Sequence, residues 1–202
     1  MTQEEFLKIR DKEVNGLRPS KMMPWYRKFI VPNAAKLNNA QKAAVLLHVF
    51  QGPDDMELLF MKRPDYNGTH GGQISFPGGK QESFDINFMH TALREAEEEV
   101  GLNNQDIEVI KSLSECYIPP SNFVVYPFVS FAGHLPNLKV NPEEVAYTFS
   151  IPLKALCSGE LEGKTKVSTK MGKMSVPAYH WNNEIIWGAT ANITAELVAL
   201  LS

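Results

Sequence analysis

Residues 76–102, FPGGKQESFDINFMHTALREAEEEVGL, restrict this chain more than any other stretch. They place a proline and two glycines just ahead of a run with helical periodicity, expected to be a helix over 86–100 with Gly101 as its C′ residue. At about 100° of rotation per residue, Glu95, Glu98 and Glu99 share one sector of the helix, because they are spaced i, i+3, i+4. Met89, Leu93, Ala96 and Val100 fall in a second sector, centred roughly 135° away. One face is therefore expected in a core, and another crowds carboxylates together. Like charges at that spacing cost roughly 0.2–0.5 kcal/mol per pair. Arg94 is expected to offset part of this by pairing with Glu98 one turn on. A hard divalent cation offsets more, since Mg²⁺ takes oxygen ligands and shares them with substrate phosphates.

The clustering is local, because the chain as a whole is close to neutral. Its 202 residues carry 20 Lys+Arg against 23 Asp+Glu, a formal net charge of −3. No global attraction to nucleic acid or an anionic membrane follows from that balance. With 44% hydrophobic residues the chain has enough apolar side chain to offset chain entropy. Its length favours one full domain with elaborations. The start, MTQEEFLKIR, lacks the apolar core of a secretory signal, and no apolar run approaches the roughly 20 residues of a membrane helix. Cys116 and Cys157 are far apart and read as reduced thiols. These features together point to a cytoplasmic protein with neither nucleic-acid nor membrane partners.

Turn and strand signals organise the rest. Residues 1–40 are expected as an N-terminal helix (2–13) followed by an irregular arm with Pro19, Pro24 and Pro32; residues 41–202 are expected as the folded domain. AAVLLHVF (43–50) and ELLFMKR (57–63) read as strands joined by Gly52-Pro53-Asp54-Asp55. Further strands are expected at 107–113, 123–131, 145–149, 175–181 and 184–187, the last two turning at Asn182-Asn183. An amphipathic helix closes the chain near 190–201. Strands dominate with helices between them, so the class is α+β or mixed α/β.

Gly79, followed by Arg94-Glu95-Ala96-Glu97-Glu98-Glu99-Val100-Gly101-Leu102, resembles the Nudix box, G-x5-E-x7-R-E-U-x-E-E-x-G-U with U a bulky aliphatic residue. The second half matches except that Ala96 stands at the first U. In the first half Asp85 takes the glutamate position and lies one residue further from Arg94; it is read here as a helix N-cap. The preceding LLFMKRPDYNGTHGGQISFPGG (58–79) is similar to the coenzyme A pyrophosphatase branch, whose motif runs L-L-T-x-R-[SA]-x3-R-x3-G-x3-F-P-G-G. Arg63, Gly72, Phe76, Pro77, Gly78 and Gly79 match it, whereas Pro64 replaces the small residue and Gly68 the second arginine. Ser121, Pro127, Glu144-Val145 and the tail Ile186-Trp187-Gly188-Ala189-Thr190-Ala191 resemble later segments of that branch.

The resemblance implies an α/β/α sandwich with a mixed β-sheet and a loop-helix-loop box. It implies a hydrolase that splits a phosphoanhydride joining a nucleotide to another group. Glu95, Glu98 and Glu99 would hold Mg²⁺ or Mn²⁺, Arg94 would orient the acids, and Arg63, Gly72, Phe76, Gly78 and Gly79 would serve the substrate. The resemblance leaves the general base as either a box glutamate or an acid on a later loop; Glu144 is the candidate outside the box, with Glu115 behind it. The substrate expected is coenzyme A or an acyl derivative, giving adenosine 3′,5′-bisphosphate and a phosphopantetheine. ADP-ribose, nucleotide sugars and dinucleoside polyphosphates are the alternative, because Gly68 offers no phosphate donor and Arg27, Lys28 or Lys62 would have to replace it. A non-catalytic nucleotide- or RNA-binding module is the alternative of another class, and a homodimer through the N-terminal arm is left open.

Other signals are weaker. Gly159–Thr165 has one residue too few between its glycines for a phosphate-binding P-loop. Lys164, Lys166, Lys170 and Lys173 read as a solvated hairpin, and the five histidines show no zinc-ligand spacing. Trp181 and Trp187 are expected in packing.

Overall fold

The computed structural model describes residues 1–14, 21–24, 33–65, 71–135, 137–169 and 172–202. Gly68, Arg27, Lys28 and Lys170 lie outside them. In chain order the elements are α1 (Gln3–Leu7), running on into a 3-10 turn over Lys8–Asp11, then α2 (Ala34–Asn38), β1 (Gln41–Gln51), β2 (Met56–Lys62), β3 (Ile74–Ser75) and β4 (Gly78–Lys80). Next come α3 (Phe88–Val100), β5 (Glu108–Ser112), β6 (Cys116–Ile118), β7 (Phe123–Ala132), β8 (Tyr147–Pro152) and α4 (Leu153–Ser158). The chain finishes with β9 (Glu162–Thr169), β10 (Gly172–Trp181), β11 (Glu184–Trp187) and α5 (Gly188–Leu201).

β1 is the spine of the main sheet. It is buried along most of its length, the near-continuous apolar pattern of a strand covered on both faces. It runs parallel to β7, from Gln41 opposite Phe123 to Phe50 opposite Ala132. Its other edge is shared: β4 pairs antiparallel with residues 43–45, and β2 with residues 49–51. β2 carries β3 and β8, and β7 carries β5 and β6, all antiparallel. The sheet is therefore mixed, as expected. A separate antiparallel sheet, β9-β10-β11, turns at Asn182 with φ 52°.

Each face of the main sheet has its own core. On one, Ala44, Leu46, Leu59 and Met61 pack under Ala92, Ala96, Val100 and Leu102 of α3 and its exit. On the other, Leu47, Val49, Leu58 and Phe60 pack with α4, α5 and the small sheet, through Leu156, Leu197 and Ile186. Phe6 and Ile9 of the N-terminal segment are buried in this second core. Helix, sheet and helix thus form the three layers expected. Among the described residues no helix is long and apolar enough to cross a membrane.

Several sequence expectations change. α3 starts at Phe88, not 86, because Asn87 caps it by accepting from the His90 N–H at 2.8 Å. Met89 faces solvent rather than the core, because Phe88 takes the inward place by stacking on Tyr126 with ring centroids 3.8 Å apart. A short helix, α2, interrupts the arm expected to be irregular. Gly159–Thr165 leads into strand β9, which removes the P-loop reading. Lys164 and Lys166 are exposed on β9 and Lys173 on β10, as a solvated hairpin would have them.

Candidate active site

The box places its loop against its helix through one close approach. β4 lies along β1, with Gly79 opposite Ala44. A Cβ on Gly79 would stand 2.5 Å from the Glu95 carboxyl, so with glycine here the loop backs directly onto that acid and a larger residue would push the Glu95 side chain aside. One residue earlier, the Gly78 N–H donates to Glu99 Oε2 at 2.8 Å. Glu99 itself is 2% exposed, in the last turn of α3. Arg63, just beyond β2, sits 3.4 Å from Glu99 Oε1 and donates to the Gly78 carbonyl at 3.3 Å.

Arg94 is the hub of a second group. Its Nε and Nη2 each donate to the Asp85 carboxylate at 3.0 Å, Nη2 also reaches Glu95 at 2.9 Å, and Nη1 reaches Glu98 at 2.8 Å. Asp85 in turn accepts from the Glu82 N–H, Thr91 Oγ1 and His90 Nδ1 at 2.9–3.0 Å. It is therefore no N-cap: Asn87 has that role, and Asp85 anchors the arginine. The expected Arg94–Glu98 pair is present.

Electrostatics separate the acids. Arg94 holds the Asp85 carboxyl far below the usual carboxylate range, helped by the Glu82 N–H, His90 and Thr91. Burial pushes Glu99 the other way, up to about 7, against the lowering pull of Arg63 and the Gly78 N–H; Glu95 and Glu144 add to the rise. Burial likewise raises Glu95, with Arg94 opposing and Glu98 and Glu144 reinforcing.

These groups open into a cleft of about 330 Å³. Four carboxylates line it: Glu95 and Glu99 from α3, and Glu143 and Glu144 from the loop before β8. Gly78, Gly79, Lys80, Arg63 and Pro64 complete the wall. Of the residues expected to act, Arg63, Gly78, Gly79, Glu95, Glu99 and Glu144 are brought together here. Glu98 is more than half exposed and is turned to Arg94 outside the cleft wall. Phe76 is in the core, stacked on Phe60, and Gly72 bonds the Pro64 carbonyl in a turn. Glu115 lies against Tyr126 rather than in the cleft. Lys62 pairs with Glu184 and sits over the Tyr147 ring. Glu143 and Lys80 were not singled out in the sequence; their adjacency to Glu144 and Gly79 is the only signal there.

Among the described residues no three acid, histidine or cysteine side chains are gathered closely enough to hold an ion as they stand. Glu95, Glu98 and Glu99 are each turned to an arginine or a backbone N–H instead. The donors themselves are all oxygen and one of them is buried at high proton affinity, which suits a hard divalent cation.

The profile of the NUDIX domain matches residues 40–170. Nudix hydrolase NudL of Photorhabdus laumondii is 34% identical over 160 residues, covering 79% of this chain and 84% of that protein. Nudix hydrolase NudL of Yersinia pestis is 33% identical over 162 residues, covering 80% of each. Among solved structures, a NUDIX hydrolase from Alicyclobacillus acidocaldarius superposes with a TM-score of 0.55 at 16% identity, over 80% of this chain and 92% of that one.

Proposed function

The chain belongs to the Nudix hydrolase family, pyrophosphohydrolases acting on nucleoside diphosphate derivatives with the help of a divalent cation, and on that footing we propose that its substrate is coenzyme A or an acyl-coenzyme A. The products are then adenosine 3′,5′-bisphosphate and the corresponding phosphopantetheine. The hydrolase part of this reading is supported by the buried Glu99 carboxyl in a cleft with Glu95 and Glu144, fronted by Gly78-Gly79, and the coenzyme A part by the motif match over residues 58–79. The branch-specific residues Arg63 and Gly78 converge on that same carboxyl.

In this reading Glu95, Glu98 and Glu99 would hold Mg²⁺ or Mn²⁺, Glu98 being the one now paired with Arg94. The bound cation supplies charge neutralisation on the diphosphate oxygens and acidifies water. Arg94 keeps Glu95 and Glu98 aligned through its fixed fork, itself locked by Asp85. Water attacks one phosphorus, the bridging P–O bond breaks, and the Glu144 carboxylate accepts the proton of the water. Arg63 and Lys80, the cations of the cleft wall, face the anionic substrate.

Gly68 favours a second reading, hydrolysis of ADP-ribose, nucleotide sugars or dinucleoside polyphosphates, since those lacking a 3′-phosphate need one cation fewer. A substrate panel, assayed for phosphate release through a coupled phosphatase with and without Mg²⁺, decides between them. Faster turnover of coenzyme A than of ADP-ribose is expected; equal rates would remove the coenzyme A assignment. The cytoplasm is the proposed compartment, a single domain from residue 41 the proposed catalytic unit, and a homodimer through the N-terminal arm the proposed assembly to test by light scattering.

A further inference from the structure

Asn141 is bonded to both halves of the cleft at once. Its backbone N–H donates to the carbonyl of Glu99 at 2.9 Å, in the last turn of α3. Its side-chain Oδ1 accepts from the Glu143 N–H at 3.1 Å. Its own carbonyl accepts from the Glu144 and Val145 N–H groups, at 3.2 and 2.9 Å. Two residues earlier, the Lys139 N–H donates to the Val100 carbonyl at 3.0 Å. The helix end, whose last carbonyls lack partners within the helix, is therefore a socket for this loop.

The socket depends on Gly101. With φ 72° it is left-handed, and a Cβ there would stand 2.8 Å from the Lys139 backbone nitrogen. Pro142 follows Asn141 and fixes its own φ near the value a tight turn needs. Val145, 1% exposed, then anchors the far side of the turn in the core beneath α3. Pro142, Glu143 and Glu144 are left as the exposed residues of a turn pinned on both sides.

We infer that Asn141 is a positioning residue, setting where the Glu144 carboxylate stands relative to Glu95 and Glu99. The shortest covalent and hydrogen-bonded path from Glu99 to Glu144 runs through it: the Glu99 carbonyl, the Asn141 N–H, the Asn141 oxygens, then the backbone of Glu143 and Glu144. Loss of the side-chain acceptor releases the Glu143 N–H and lets the turn open toward solvent, while the backbone bonds to α3 and the Val145 anchor keep the fold. Misplacing a base by about 1 Å is enough to cost up to 10²-fold in rate.

The inference rests on Glu144 acting as the base, and a cycle of variants separates the two claims. Steady-state hydrolysis of coenzyme A and of ADP-ribose with Mg²⁺ is measured for wild type, Asn141→Ala, Asn141→Asp, Glu144→Gln and the double variant Asn141→Ala/Glu144→Gln. Asn141→Ala is expected to lower kcat roughly tenfold or more at nearly constant KM. Asn141→Asp, which keeps an acceptor oxygen, is expected to recover most of that loss. In the Glu144→Gln background, Asn141→Ala is expected to do nothing further. An Asn141→Ala enzyme with wild-type kcat overturns the inference, and so does full additivity of the two substitutions. If Glu144→Gln turns over like wild type, the base assignment fails first and takes the inference with it. Thermal unfolding of each variant separates positioning from stability: Asn141→Ala and Asn141→Asp are expected to match wild type in Tm, and a kcat loss that follows a loss of Tm across the variants overturns the positioning role.

Discussion

Two buried carboxyls stand at opposite ends of α3, each facing an arginine, and their surroundings drive them in opposite directions. Asp85 precedes the helix and has its lone pairs filled: two bonds from Arg94 and one each from Thr91, His90 and the Glu82 N–H. Glu99 sits in the last turn with one backbone N–H and an arginine no closer than 3.4 Å, and it shares its cleft with Glu95 and Glu144. A saturated carboxylate keeps its charge and works as structure. A buried one short of donors and near like charge is raised to about 7, and it gains most from an added cation. The helix thus has a fastening end and a working end.

The comparison breaks if the two ends respond alike to losing their charge. Glu99→Gln removes the group argued to bind metal, so turnover should fall by about 10³ or more, with urea unfolding of the metal-free protein unchanged or slightly strengthened. Wild-type-like hydrolysis at saturating Mg²⁺ would end the assignment. Asp85→Asn should do the reverse in kind. Breaking this enclosed pair costs about 3 kcal/mol in urea unfolding, with any rate loss following from the slackened Arg94. A third measurement reads the working end alone. Mg²⁺ at about 100 times its dissociation constant should stabilise the wild type by roughly 2.7 kcal/mol, and Glu99→Gln by far less.

The smallest expected effect supplies a reference away from both ends. His48 is fully buried, bonded through Nδ1 to Ser130 at 3.0 Å, with Nε2 unpartnered among the described residues. Burial alone lowers it to about 4 from 6.5. The folded state therefore binds fewer protons than the unfolded one across that interval. Its contribution to stability is complete above pH 6.5 and is lost as pH falls toward 4. Between pH 7 and pH 5 the wild type should lose about 2 kcal/mol more than His48→Gln does in urea unfolding. Equal losses would show that desolvation is not what shifts buried groups in this core, and would weaken the same argument for Glu99.

What the sequence exposed followed from periodicity. The box helix and the strands around 43–50 and 123–131 are regular enough that side-chain spacing alone locates them. β3 and β4 escape because two or three residues, with glycines among them, carry no pattern. β9 is legible only as one arm of a solvated hairpin, without bounds, because its residues are mostly polar. Within the site, Glu95, Glu99, Gly78 and Gly79 are legible through their spacing. Asp85 as an anchor, Glu143 and Asn141 are not, since what brings each into play is a contact with a segment distant in the chain or around a turn. The place of Met89 is hidden for a related reason: the stacking of Phe88 on Tyr126, a residue of β7, sets which residue of the first turn faces inward.

The parallel partnership of β1 with β7 has a consequence for how the protein is made. Gln41 meets Phe123 only after the whole of β2 to β6 and α3 has been synthesised between them. Closing so long a loop is slow, and nothing local rewards it beforehand. A chain emerging from the ribosome carries every residue of the box well before it has β7 to hold β1, or the loop at 139–145 that docks on α3. The acidic helix is translated early and made into a site late, so unfinished chains hold the motif without the cleft.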